Sequence, residues 1–177
     1  MKIAFKIFGA IILGFITIFS LIGLFAPHKV VVAESVTINA SAENVFEKIK
    51  RWSYFKDWSP WNELDPNMKI SYEGTDGTVG SVYKWEGNNE VGTGSMTKTL
   101  VQPNSRIEYD LHFMKPWEAK NKGYLSIEPQ GDAQKVTWGF VADAPFPKNV
   151  LMLFMKGYIA NDFKKGLDKL KATCEKQ

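Results

Sequence analysis

The sequence predicts an α+β fold: a seven-stranded antiparallel, curved sheet wrapped around a long C-terminal helix, with one N-terminal transmembrane helix. Three observations predict it. Ile7 to Pro27 carries no charge. A train of short β-type segments separated by Gly, Pro and Asn turns fills the middle of the chain. After Pro147 the apolar period lengthens to that of a helix.

The first segment holds only Thr17 and Ser20 as polar residues among its 21 positions. At about 1.5 Å per residue it is roughly 30 Å long, the thickness of a bilayer's hydrocarbon core. A cleaved secretory signal is the alternative. It requires small residues at −3 and −1 of a cut site, whereas Leu24-Phe25-Ala26-Pro27 offers a large −3 residue and a proline just past the cut. The sequence therefore favours an uncleaved signal-anchor over residues 7–27, with residues 1–29 as anchor and short tether and 30–177 as the soluble domain. Lys2 and Lys6 precede the span and Lys29 follows it. This bias places the N-terminus inside. In a bacterium the domain then sits on the periplasmic or outer face of the inner (cytoplasmic) membrane.

A strand-like run follows at once, Val30 to Asn39. Ser41 reads as an N-cap for a short helix, Ala42 to Lys50, with Val45, Phe46 and Ile49 on one face. Trp52 to Leu64 is aromatic and irregular, interrupted by Pro60. Six further strands are predicted at Lys69–Glu73, Val79–Glu86, Val91–Gln102, Arg106–Phe113, Trp117–Glu128 and Gln134–Ala142. Their short connections imply an antiparallel meander. Val150, Leu151, Phe154, Tyr158, Phe163, Leu167 and Leu170 suit a helix running to about Lys171. A six-strand meander of this length curls, and an apolar helix is the natural element for its concave side.

Alternation assigns the concave face. Ile107, Tyr109, Leu111 and Phe113 share one face of their strand, with His112 on the other. Val136, Trp138 and Phe140 share a face, as do Ser81, Tyr83 and Trp85, and Ile70 and Tyr72. This inward set is rich in Tyr and Trp, which bring a polar handle to an apolar surface. It suits a ligand pocket, and it equally suits a packed core. Glu34 has the parity of Val32, Val36 and Ile38, so it points inward near a strand end, either as a polar anchor at a cavity mouth or as a solvated carboxylate where the sheet frays. Leu151, Met152, Phe154 and Met155 belong to the opening of the last helix, apolar all round from Val150 to Met155, which can rest on lipid or gate a pocket, and Tyr158 follows them along the helix.

Composition narrows the function. From Val30 onward 19 basic residues face 19 acidic ones, a poor match for nucleic acid. His28, His112 and Cys174 are the only His and Cys residues, too few for a structural metal site. No P-loop or dinucleotide fingerprint is present, so no cofactor is expected. Gly92-Thr93-Gly94-Ser95 has the wrong spacing for a nucleophile elbow.

VTINASAENVFEKIKRW, the Trp-Ser-Pro-Trp at 58–61 with Asp65-Pro66 behind it, YEGTDGTVGSVYKWEGNNEVGTGSMT at 72–97 and DFKKGLDKLK at 162–171 carry a family likeness. Over about residues 32–173 the chain resembles the SRPBCC, or START-like helix-grip, superfamily, in its polyketide cyclase/dehydrase-like branch. The resemblance implies a sheet gripping a C-terminal helix around a hydrophobic cavity. Members bind lipids, sterols, polyketides or plant hormones, and a minority are enzymes. Three functions then compete. The first is a membrane-anchored binder of a hydrophobic small molecule or lipid, held by Tyr72, Tyr83, Trp85, Tyr109, Leu111, Phe113, Trp138, Phe140, Leu151, Phe154, Tyr158 and Glu34. The second is a cyclase/dehydratase-like enzyme using Glu34 or an inward Tyr as proton donor. The third is an envelope interaction module that uses the Trp-Ser-Pro-Trp segment.

Overall fold

The computed structural model describes residues 2–176. Helix α1, Lys2–Phe25, has no proline before Pro27, and almost all side chains from Ala4 to Phe25 are exposed. Within it Ala4–Phe25 has a mean hydropathy of 2.5, long and apolar enough to be a membrane span or signal anchor.

Strand β1, Lys29–Ile38, leads into three short helices: α2 (Ala42–Lys50), α3 (Trp52–Trp58) and α4 (Trp61–Leu64). The Ser41 hydroxyl accepts from the Asn44 amide at 3.2 Å and so caps α2, whose Val45, Phe46 and Ile49 are buried as its period requires. Helix α3 has no cap of its own. Asp76, 24 residues downstream of Trp52, accepts from the Trp52 and Ser53 amides at 2.7 and 3.1 Å.

The meander comprises β2 (Lys69–Glu73), β3 (Val82–Glu86), β4 (Thr93–Gln102), β5 (Arg106–Lys115), β6 (Ala119–Gln130) and β7 (Ala133–Asp143). All pairings are antiparallel, in the order β1-β7-β6-β5-β4-β3-β2. Strand β3 starts at Val82 rather than Val79, because Gly80 takes φ +84° and turns the chain first. Strand β6 starts at Ala119, which leaves Trp117 in the hairpin tip.

Helix α5, Lys148–Glu175, runs four residues past the predicted end. It lies along β1 and over α3, so the concave face is shared: α2 to α4 cover one part and α5 another. Its buried stripe is Phe163, Gly166, Leu167, Leu170 and Cys174. The first turn of α5 is pinned to the end of α1. The buried Asn149 amide donates to the Gly23 and Ala26 carbonyls at 2.7 and 3.2 Å, two acceptors that a helix end leaves unpaired. Phe146 packs edge-on against Phe19, ring centroids 5.8 Å apart.

Candidate ligand groove and its aromatic floor

The inward alternation holds. Tyr83, Trp85, Tyr109, Trp138 and Phe140 are all buried on the concave side. Trp138 is the hub. Its indole N–H donates to the Tyr109 hydroxyl at 2.8 Å, and its ring meets Trp58 and Trp61 edge-on. Burial pushes the Tyr109 phenol up to about 12, with the Trp138 bond pulling the other way. Tyr109 is thus a neutral acceptor that orients Trp138. Burial likewise raises Tyr83, and the nearby Tyr72 adds to it. Tyr72 itself stands on edge strand β2, 44% exposed, touching Tyr83 at a centroid distance of 5.9 Å.

The space expected as a cavity beneath α5 is therefore filled along the second half of that helix. Trp58, Trp138 and Phe163 plug it, and Trp52 and Phe55 close the neighbouring region. Trp52 and Trp58 are core residues, which accounts for the tryptophans before Pro60 by packing.

At the other end of the sheet the cover stops. On β5, Ile107 and Tyr109 are buried, but Leu111 and Phe113 on the same face are only half-buried. Across from Leu111, Asn121 is also half-buried. Helix α5 changes in step. From Leu151 to Asp162 none of its residues is fully buried, and Met152, Ile159 and Ala160 are half-buried against the core. Lys171 reaches the Thr37 carbonyl near the end of β1, so the first half of α5 lies level with the start of β1. What remains is half-covered apolar surface on the concave side at the ends of β5 and β6, a candidate groove where Phe113 packs edge-on against the buried Trp85, ring centroids 5.7 Å apart.

Leu151, Phe154 and Tyr158 do not join the inward aromatics. They are exposed, Phe154 at 70% and Tyr158 at 72%, because the core-facing side of α5 runs through the half-buried Met152 and Ile159 to the buried Phe163 instead. Leu151 and Phe154 face Phe19 of α1 across an apolar recess of about 350 Å³. Glu34 does face inward, yet it is the sixth of ten residues in β1, opposite Trp138, and not at a fraying end. The Lys164 ammonium, raised chiefly by its bond to Asp168, also feels the Glu34 carboxylate.

A second opening interrupts the sheet. The β6–β7 ladder ends at Lys122 opposite Val141, while β5–β6 continues to Phe113 opposite Ala119 and β1–β7 to Lys29 opposite Asp143. The strands splay there around a cleft of about 520 Å³, lined by Lys29, Asp110, His112, Lys120 and Lys122 and also by Leu111 and Asn121, so it adjoins the half-covered apolar surface.

Sequence reasoning missed Lys98. It is 1% exposed, its ammonium has no hydrogen-bond partner, and it sits 3.3 Å above the centre of the Trp52 ring. Burial drives it down to about 7, against the pull of Asp76. The β4 pattern TGSMTK gives no apolar alternation that could have flagged it. Among the described residues no group of three His, Cys, Asp or Glu side chains is placed to hold a metal.

The comparisons agree with this architecture. A solution structure of the Aha1 dimer from Colwellia psychrerythraea is 17% identical, covers 83% of this chain and 97% of its own, and has a TM-score of 0.59. A solution structure of a Thermobifida fusca protein is 17% identical over 80% of this chain and 90% of its own, TM-score 0.60. The di-domain ARO/CYC StfQ of the steffimycin biosynthetic pathway is 12% identical over 83% of this chain and 51% of its own, TM-score 0.62. At these identities the likeness is one of fold. No curated protein matches the chain in sequence. Residues 29–175, all of the chain beyond the apolar helix and its tether but for the last two residues, match the family described as polyketide cyclase/dehydrase and lipid transport, and the chain belongs to that family.

Proposed function

We propose that the chain is a membrane-anchored binding domain for a hydrophobic small molecule or lipid, with residues 1–29 as anchor and tether and 30–177 as the binding domain. The observation that carries this reading is the half-covered concave face. Leu111 and Phe113 keep exposed apolar surface at the level where α5 has no fully buried residue. A groove of this kind gains an apolar ligand by the area it removes from water. Asn121, opposite Leu111, supplies a polar contact at its edge, whereas Glu34, level with Trp138 and Ile107, lies at the filled half of the interior. The family description, which joins cyclase/dehydrase members to lipid transport, supports the ligand class.

The test is native mass spectrometry of the full chain purified from its own membrane in mild detergent. It should carry an apolar species that Leu111→Glu and Phe113→Glu variants lose while their melting temperatures stay near that of the wild type. A chain that emerges empty from every preparation overturns the reading.

A further inference from the structure

We infer that the tip of the β5–β6 hairpin, Met114 to Trp117, is a second lipid contact that seats the mouth of the groove on the bilayer surface. This rests on the proposal that α1 spans a membrane.

Topology puts the tip at the right level. Val31, Val141, Lys122 and Asp110 form one row across the sheet. From that row the chain has six residues to reach Phe25 at the end of α1, and seven to reach Trp117. Both project from the same end of the sheet by similar lengths. Of the six tryptophans, Trp52, Trp58, Trp85 and Trp138 are buried and Trp61 is half-buried, whereas Trp117 is 75% exposed, with Met114 exposed beside it. A large aromatic turned out to solvent at a hairpin tip forfeits the burial that its siblings gain.

Charge and continuity name the occupant. Exposed Lys115 and Lys120 flank the tip, the exposed Glu118 between them is paired with His112 at 3.0 Å, and exposed Lys148 and Lys156 flank the opening turns of α5. Aromatic and aliphatic side chains rimmed by lysines form the composition of a surface that rests in the headgroup–acyl boundary. The exposed apolar turns of α5 continue directly from α1 through the Phe19–Phe146 contact and the recess shared with Leu151 and Phe154. The hairpin and these turns flank the groove, and Leu111 and Phe113 lie on the strand that leads to the tip. The mouth then opens onto lipid, so that an apolar ligand passes between bilayer and groove without crossing water.

The full chain in nanodiscs of phosphatidylcholine brominated near the carbonyl end of its acyl chains tests this. Bromolipid quenches tryptophan at the boundary and leaves buried indoles alone. The wild type should lose emission relative to unbrominated discs, and Trp117→Ala should remove more than half of that loss. Equal quenching in the two proteins overturns the inference. So does a Trp117 component reached only by aqueous iodide, or one shielded from both quenchers as a protein partner would shield it. Alkaline extraction of the native membrane separates the two ideas. A chain released by alkali defeats the anchor; a retained chain with an iodide-only Trp117 defeats the hairpin contact alone.

Discussion

Trp138 and Phe163 lie face to face, ring centroids 4.2 Å apart and planes 7° from parallel. This pair joins β7 to α5 and, with Trp58, fills the interior beneath the second half of that helix. Gly166, three residues after Phe163, lets the indole approach, because a Cβ there would stand 2.6 Å from Trp138 Cζ3. An exposed helical Gly→Ala change stabilises by about 1 kcal/mol. Gly166→Ala should do the reverse and cost about 1–3 kcal/mol through overpacking. Urea titration decides the sign, and a midpoint at or above wild type would mean that α5 lifts freely from the sheet.

Tyr109→Phe keeps the ring and removes the acceptor for a buried indole N–H. Leaving that donor unpaired should cost about 1–3 kcal/mol. The check is thermal unfolding alongside Tyr124→Phe, a half-buried tyrosine on the opposite face that should move the midpoint little.

Lys98 gives the fold a pH dependence of known sign. Its folded value is depressed to about 7, below its unfolded value of 10.5. Between those two values the unfolded chain binds the extra proton, so stability rises with pH across that window. Below it both states carry the charge and the burial penalty stands in full, softened by the Trp52 ring. Cys174, raised by burial to about 11, opposes the trend at the alkaline end. Denaturant midpoints at neutral pH and near pH 9 should therefore rise in the wild type relative to Lys98→Met, and identical slopes for the two proteins would refute the assignment.

Asn149→Ala strips two carbonyls at the end of α1 of their donor and frees α1 from α5. In detergent-solubilised full chain, hydrogen exchange should quicken in α1's last turn and at the start of α5 while the β5–β7 amides stay protected. Uniform protection in the variant would show that the Phe19–Phe146 contact alone holds the joint.

Much of the fold was legible because it is local. The uncharged run of α1, the Ser41 cap, the turn residues between strands and the alternation of Ile107, Tyr109, Leu111 and Phe113 each act within a few residues. The number and order of the strands and the inward faces of β3, β5 and β7 followed from them. The outcome at Glu34 shows the limit: parity gave its direction, but its place in mid-strand depends on the pairing with β7.

What only the tertiary structure decided is which surfaces meet. Helical period allowed Leu151, Phe154 and Tyr158 a place beside Phe163, yet α5 turns the half-buried Met152 and Ile159 toward the core, in line with the Phe163–Leu167–Leu170 stripe that packs on the sheet. Likewise β4 reads as a polar strand, and Lys98 becomes a buried cation only because Trp52, 46 residues earlier, lies across it. Sequence alone set periods, caps and faces, which are short-range. Filling one half of the interior and leaving the other open is a matter of volume shared among distant segments, and no window of sequence contains it.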